Sequence, residues 1–191
     1  MLERCRAKVS QEPEPVRQRI SLTSGDVRSF DLGERFALIT APFRVVQHLT
    51  SIDDQLNFLD AVSRHLAPAA RLVFDVFNPK FSALVAADGV EREDTPAQQL
   101  ADGRSMRRTA RVKRVRWIDQ VSEIELIYYI TDVDGSEQRY LHAFDMRWYL
   151  CAELEHLLAR AGFRMHAIYG DFDRSSLADG CAELIVTAVR R

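Results

Sequence analysis

The chain has 191 residues, 47% of them hydrophobic, enough to bury one sizeable core in a single unit spanning residues 1–191. Its 26 lysines and arginines against 28 acidic residues leave a net charge of −2, which provides no electrostatic footprint for nucleic acid or an anionic membrane and leaves a small molecule as the expected partner. No apolar run approaches the roughly 20 residues of a membrane span, the opening MLERCRAKVSQEPEP has no apolar signal core, and Cys5, Cys151 and Cys181 form neither a disulfide framework nor a metal motif, so a cytoplasmic setting with reduced thiols is expected.

Leu2 to Val9 is amphipathic but has no capping residue ahead of it, as if a helix were entered midway. After Pro13 and Pro15, RISLTSGD (Arg19 to Asp26) alternates like a strand and stops at a Gly-Asp turn. FALITAPF (Phe36 to Phe43) is a continuous apolar run that predicts a strand buried on both faces of a parallel sheet. Ser51 then caps a helix whose first turn holds Asp53 and Asp54 and whose apolar face is Ile52, Leu56, Leu59, Val62 and Leu66. RLVFDVFNP (Arg71 to Pro79) is a second buried strand, so Phe36 to Pro79 predicts a β-α-β unit.

Lys80 to Arg104 reads as loop or weak helix. Beyond it, three strand-like segments with turns at Asp119-Gln120 and Asp134-Gly135 predict an inserted antiparallel sheet over about residues 104–148. Its first strand carries Arg107, Arg108, Arg111, Lys113, Arg114 and Arg116. A solvated face or charge pairs across the ladder with Glu123 and Glu125 is the favoured account of this stripe, and recognition of an anionic substrate or partner is the alternative. Leu150 to Ala161 predicts a helix capped by Gly162, followed by strands in RMHAIYGDF and CAELIVTAVR.

The segments GDVRSFDL, FALITAPFRVVQHL, RLVFDVFNP and LEHLLARAGFRMHAIYGDF, in this order, resemble the later part of class I S-adenosylmethionine-dependent methyltransferases. Ala161-Gly162-Phe163 followed by a strand and Tyr169-Gly170-Asp171-Phe172 resembles the small bacterial enzymes of that family, among them amino-sugar N-methyltransferases. The resemblance implies an α/β, Rossmann-like sheet of order 3-2-1-4-5-7-6, S-adenosyl-L-methionine as cofactor and a small-molecule acceptor. The family's first strand with its glycine-rich turn, and its second strand with the ribose carboxylate, have no match in these residues. Met1 therefore falls at a family-internal position, and the expectation is a partial methyltransferase domain lacking the first two strands. In it, ITAPF would be left with an exposed edge that re-pairs, is covered by a second copy in a homodimer, or destabilises the chain.

Carried over residue by residue, Asp26 matches the carboxylate that accepts from the adenine amino group, with Val27 against the ring. A plain Gly-Asp turn is the bland alternative. Ala41, Pro42 and Phe43 lie at the carboxyl end of a strand, where open α/β sheets bind ligands. The resemblance gives the Ala41 carbonyl to the methionine amino group and makes Phe43 a wall of the transfer site. His48 matches the loop that faces the transferred methyl, as a general base or as a loop histidine without chemistry. Asp75 and Asn78 either contact substrate or are a buried carboxylate and an Asn-Pro turn. Tyr128, Tyr129, Tyr140, Trp148 and Tyr149 read as packing ahead of an acceptor pocket. No histidine has metal-ligand spacing. The competing class is a non-catalytic interaction or dimerisation module derived from a methyltransferase.

Overall fold

The computed structural model describes residues 1–191. Two exposed helices, α1 (Leu2–Val9) and α2 (Glu14–Arg17), precede an irregular segment that leads to β1 (Phe36–Ala41). A 3₁₀ turn, Val45–His48, and α3 (Ile52–His65) then connect β1 to β2 (Leu66–Phe77). The strands β1 and β2 pair in parallel, with Ala41 beside Phe74, so the predicted β-α-β unit is present. Ser51 caps α3 by accepting from the Asp54 N–H at 3.1 Å. Replacing Ser51 with Ala should cost about 1 kcal/mol, and a urea melt with an unchanged midpoint would contradict this. Of the expected apolar face of α3, Leu59, Val62 and Leu66 are buried, Leu56 is half-buried and Ile52 is exposed, while Gln55, Phe58 and His65 widen the buried face.

After β2 come α4 (Phe81–Val85) and β3 (Arg92–Gln99), then β4 (Ser105–Arg116), β5 (Val121–Thr131) and β6 (Glu137–Arg147). Strands β3 to β6 form an antiparallel sheet in that order. The expected loop over Lys80 to Arg104 is thus half wrong, because REDTPAQQ pairs as an edge strand despite its polarity and Pro96, which an edge tolerates. The basic stripe is spent on ion pairs: Arg111 with Glu125 at 2.5 Å, Arg108 with Asp94 at 2.9 Å, and Arg116 with Asp145 at 2.9 Å. That leaves little of it for an anionic ligand.

Finally α5 (Cys151–Arg160) ends at Gly162, whose φ of +80° suits a residue without a Cβ, and β7 (Phe163–Tyr169) and β8 (Glu183–Arg190) complete the main sheet. The sheet order is β1-β2-β8-β7, with β8 antiparallel to both neighbours. The core is one cluster in which Phe58, Leu59 and Val62 of α3 and Leu154 and Leu158 of α5 pack on Leu72, Phe74 and Val76 of β2 and on Val186 of β8.

Two expectations fail together at the β1 edge. Arg19 to Asp26 forms no strand, because alternation alone supplies no partner for the backbone groups and none lies beside it. Phe36 to Phe43 is not buried on both faces: β1 has a neighbour on one side only, ends at Ala41, and leaves Leu38 55% exposed. No helix is long and apolar enough to cross a membrane.

Candidate functional site

An open cleft of about 1010 Å³ runs beside β1, bounded on one side by Phe36 and Thr40 and on the other by the irregular segment with Asp26, Val27, Phe30 and Leu32. That segment is tied to α3 through His65: Nε2 accepts the Leu32 N–H at 2.9 Å, Nδ1 faces the Ala61 carbonyl at 2.7 Å, and the ring lies 4.6 Å from that of Phe30. Asp26 and Val27 thus line the same cleft as β1, with Val27 40% exposed.

The Asp26 carboxylate is not bare. Arg28 donates to it through its backbone N–H at 2.9 Å and through the guanidinium at 2.6 Å, and reaches Asp54 at 3.0 Å. The side-chain bonds to Arg28, and then the backbone bond, lower the Asp26 pKa to about 2. A depressed carboxyl steadies the fold above its unfolded value and loses that contribution as pH falls through the folded one. The Asp26–Arg28 clasp should therefore hold above about pH 4 and open between about pH 4 and 2. Carbon-13 titration of the Asp26 carboxyl reads this directly, and a midpoint near 4 would refute it.

Ala41 is buried at the end of β1, whereas Pro42 and Phe43 turn outward, Phe43 being 89% exposed. Phe43 and Arg44 both adopt left-handed backbone, with φ of +61° and +59°, and Arg44 precedes the 3₁₀ turn that ends in His48. His48 is exposed and lies 5.3 Å, ring to ring, from Phe144 of β6, whose other neighbour is His142 at 5.1 Å. The loop after β1 and the inserted sheet therefore meet at His48, which is not among the residues lining the cleft that holds Asp26 and Val27.

Residues that composition did not flag hold this loop. Gln47, fully buried, accepts the Phe77 N–H at 2.9 Å and donates to the Arg147 carbonyl at 2.7 Å. Gln55 donates to the Leu49 carbonyl at 2.9 Å, and the buried Tyr149 hydroxyl lies 3.4 Å from the Val46 carbonyl. Burial pushes the Tyr149 phenol up, so it stays a donor. The Asn78 side chain bonds the Cys181 carbonyl at 2.9 Å and fastens β2 to the entry of β8, which favours its structural role. Trp148 and Tyr149 are buried packing residues, as expected, while Tyr140 is exposed.

The chain shares its fold with solved methyltransferase structures. The chain superposes over 98% of its length on an S-adenosylmethionine-dependent methyltransferase of Clostridium acetobutylicum, covering 70% of that chain, with a TM-score of 0.76 at 13% identity. It superposes over its whole length on the CcbJ methyltransferase of Streptomyces caelestis, covering 75% of that chain, with a TM-score of 0.75 at 18% identity. In sequence it is 30% identical over 117 residues, 56% of the chain, to the dTDP-4-amino-2,3,4,6-tetradeoxy-D-glucose N,N-dimethyltransferase of Saccharopolyspora spinosa. The chain spans about half, 47%, of that relative's length. No family model matches it.

Proposed function

We propose that this chain supports methyl transfer from S-adenosyl-L-methionine to the amine of a small-molecule acceptor, an amino sugar by analogy with the S. spinosa enzyme. The sequence match to that enzyme carries the reading, and the fold and the cleft beside β1 support it. The cleft fits the adenosyl end of the cofactor in part: Asp26 would accept from the adenine amino group and Val27 would lie against the ring, whereas the buried Ala41, the candidate partner of the methionine amino group, does not line it. We read the sheet as the 4-5-7-6 part of the family's order, with no counterpart in residues 1–191 for its first two strands or glycine-rich turn.

When bound, the cofactor supplies a methyl group on a reactive sulfonium. The protein's part is to place the acceptor nitrogen in line, shield it from water and remove its proton. Phe144 stands against the His48 ring, and His48 would take the proton that the acceptor amine gives up. We place the reaction in the cytoplasm, consistent with three unpaired cysteines.

A second reading is a non-catalytic module that pairs with itself or another chain, favoured by the open β1 edge and the exposed Tyr140 and Leu141 on the edge strand β6. Calorimetric titration with S-adenosylhomocysteine separates the two. Micromolar binding supports methyl transfer. No heat at millimolar ligand, together with a concentration-dependent dimer in light scattering, overturns it in favour of the second reading.

A further inference from the structure

The turn that leaves β1 places two consecutive non-glycine residues, Phe43 and Arg44, in left-handed backbone. Such conformations persist only where their surroundings over-determine them, and they concentrate at functional sites. Here the surroundings are two carboxylates on the neighbouring strands. Asp75, on β2, is 5% exposed and accepts the Arg44 backbone N–H through Oδ2 at 3.2 Å. Glu183, on β8, takes the Arg44 guanidinium in an ion pair. In the β2–β8 ladder, Asp75 is registered with Ile185 and Glu183 with Phe77, so both carboxylates rise from the same face of two paired strands, two positions apart. One residue is therefore gripped at its main chain and at its side chain by a rigid frame.

The cluster has charge and bonding capacity left over. Asp75 Oδ1, Glu183 Oε2 and Arg44 Nε are buried without a hydrogen-bond partner, and the guanidinium is paired with Glu183 alone while Asp75 is met only by the Arg44 backbone N–H. A framework required only to hold β2 against β8 would be served better by apolar side chains, because buried charges are costly. The cluster bonds the turn that starts the 3₁₀ segment, and that segment ends at His48.

We propose that Asp75, seconded by Glu183, is a positioning residue: it sets the left-handed Phe43–Arg44 turn and thereby the presentation of Phe43 and His48 at the end of β1. Its functional consequence rests on the methyl-transfer reading, whereas the geometric claim does not. Amide exchange of Arg44 to His48 tests the geometry in the full chain. Asp75→Ala should speed exchange of the Arg44 amide at least 10-fold while the β2 and β8 amides keep their protection. Asp75→Asn, whose side-chain oxygen can still accept the Arg44 N–H, should restore it. Should Asp75→Ala fail to fold, Glu183→Gln, which keeps the shape and removes the charge, should show the same local effect of several-fold.

In turnover, Asp75→Ala should raise the acceptor KM about 10-fold with a smaller change in kcat, and Asp75→Asn should recover most of it. Arg44 exchange unchanged in both Asp75→Ala and Glu183→Gln overturns the proposal, and so does a uniform loss of protection across β2 and β8. A wild-type chain that binds no S-adenosylhomocysteine but shows the local exchange effect would remove the methyl-transfer reading and leave the positioning role standing.

Discussion

Gln47→Ala should destabilise the chain by about 3 kcal/mol, the largest loss expected from any single polar side chain outside the ion pairs. Gln47 is fully buried, and its amide is used at both ends, accepting from Phe77 at the close of β2 and donating to Arg147 at the close of β6. Truncation leaves a backbone donor and a backbone acceptor without partners and also opens a cavity, and these costs act in the same direction. The two strands belong to different sheets, so the same substitution should loosen the inserted sheet from the main one. Urea unfolding with an unchanged slope reads the stability, and amide exchange at Phe77 reads the local effect. A loss below about 1 kcal/mol would mean that the surroundings re-satisfy both groups.

Gln47 also shows where sequence reasoning stops. Periodicity made the β1-α3-β2 unit, three strands of the inserted sheet, α5, β7 and β8 legible, because each segment carries its own apolar pattern. The Arg19 to Asp26 segment has the same kind of pattern and forms no strand, since pairing is a property of two segments and no strand of the structure pairs with it. The reverse holds for β3, whose polar, proline-containing sequence shows no pattern yet pairs with β4. The basic stripe was legible as a set of ion pairs, and Glu125 was identifiable from the ladder. Asp94 and Asp145 were not, because they come from β3 and from the far end of β6.

Within the site, Asp26 and Val27 line the cleft beside β1, and His48 stands against Phe144 of the inserted sheet, a contact that no local pattern announces. Nothing local in the chain announces that Arg28 occupies Asp26, that Arg44 is left-handed, or that Glu183, 139 positions along the chain, pairs with it. Long-range polar bonds have no local signature, and here they decide how the loop after β1 is held.

His48→Ala should lower the rate of methyl transfer about 100-fold, the low end of what a positioned general base contributes, while leaving S-adenosylhomocysteine affinity within about 2-fold of wild type. The two halves of this expectation come from different parts of the geometry. His48 does not line the cleft that holds Asp26 and Val27, so cofactor binding has no reason to change. It stands instead against Phe144 of the inserted sheet, on a loop fixed by Gln47, Gln55 and Tyr149, where an imidazole can meet an acceptor amine. An amine must lose a proton as it is methylated, and an adjacent imidazole base takes it more readily than water does. Single-turnover kinetics with excess cofactor isolates the chemical step, and Phe144→Leu serves as a control that removes the ring partner but keeps the imidazole. A fall of less than 5-fold in His48→Ala would mean that orientation and desolvation alone carry the step, leaving His48 as a wall of the site and not its base.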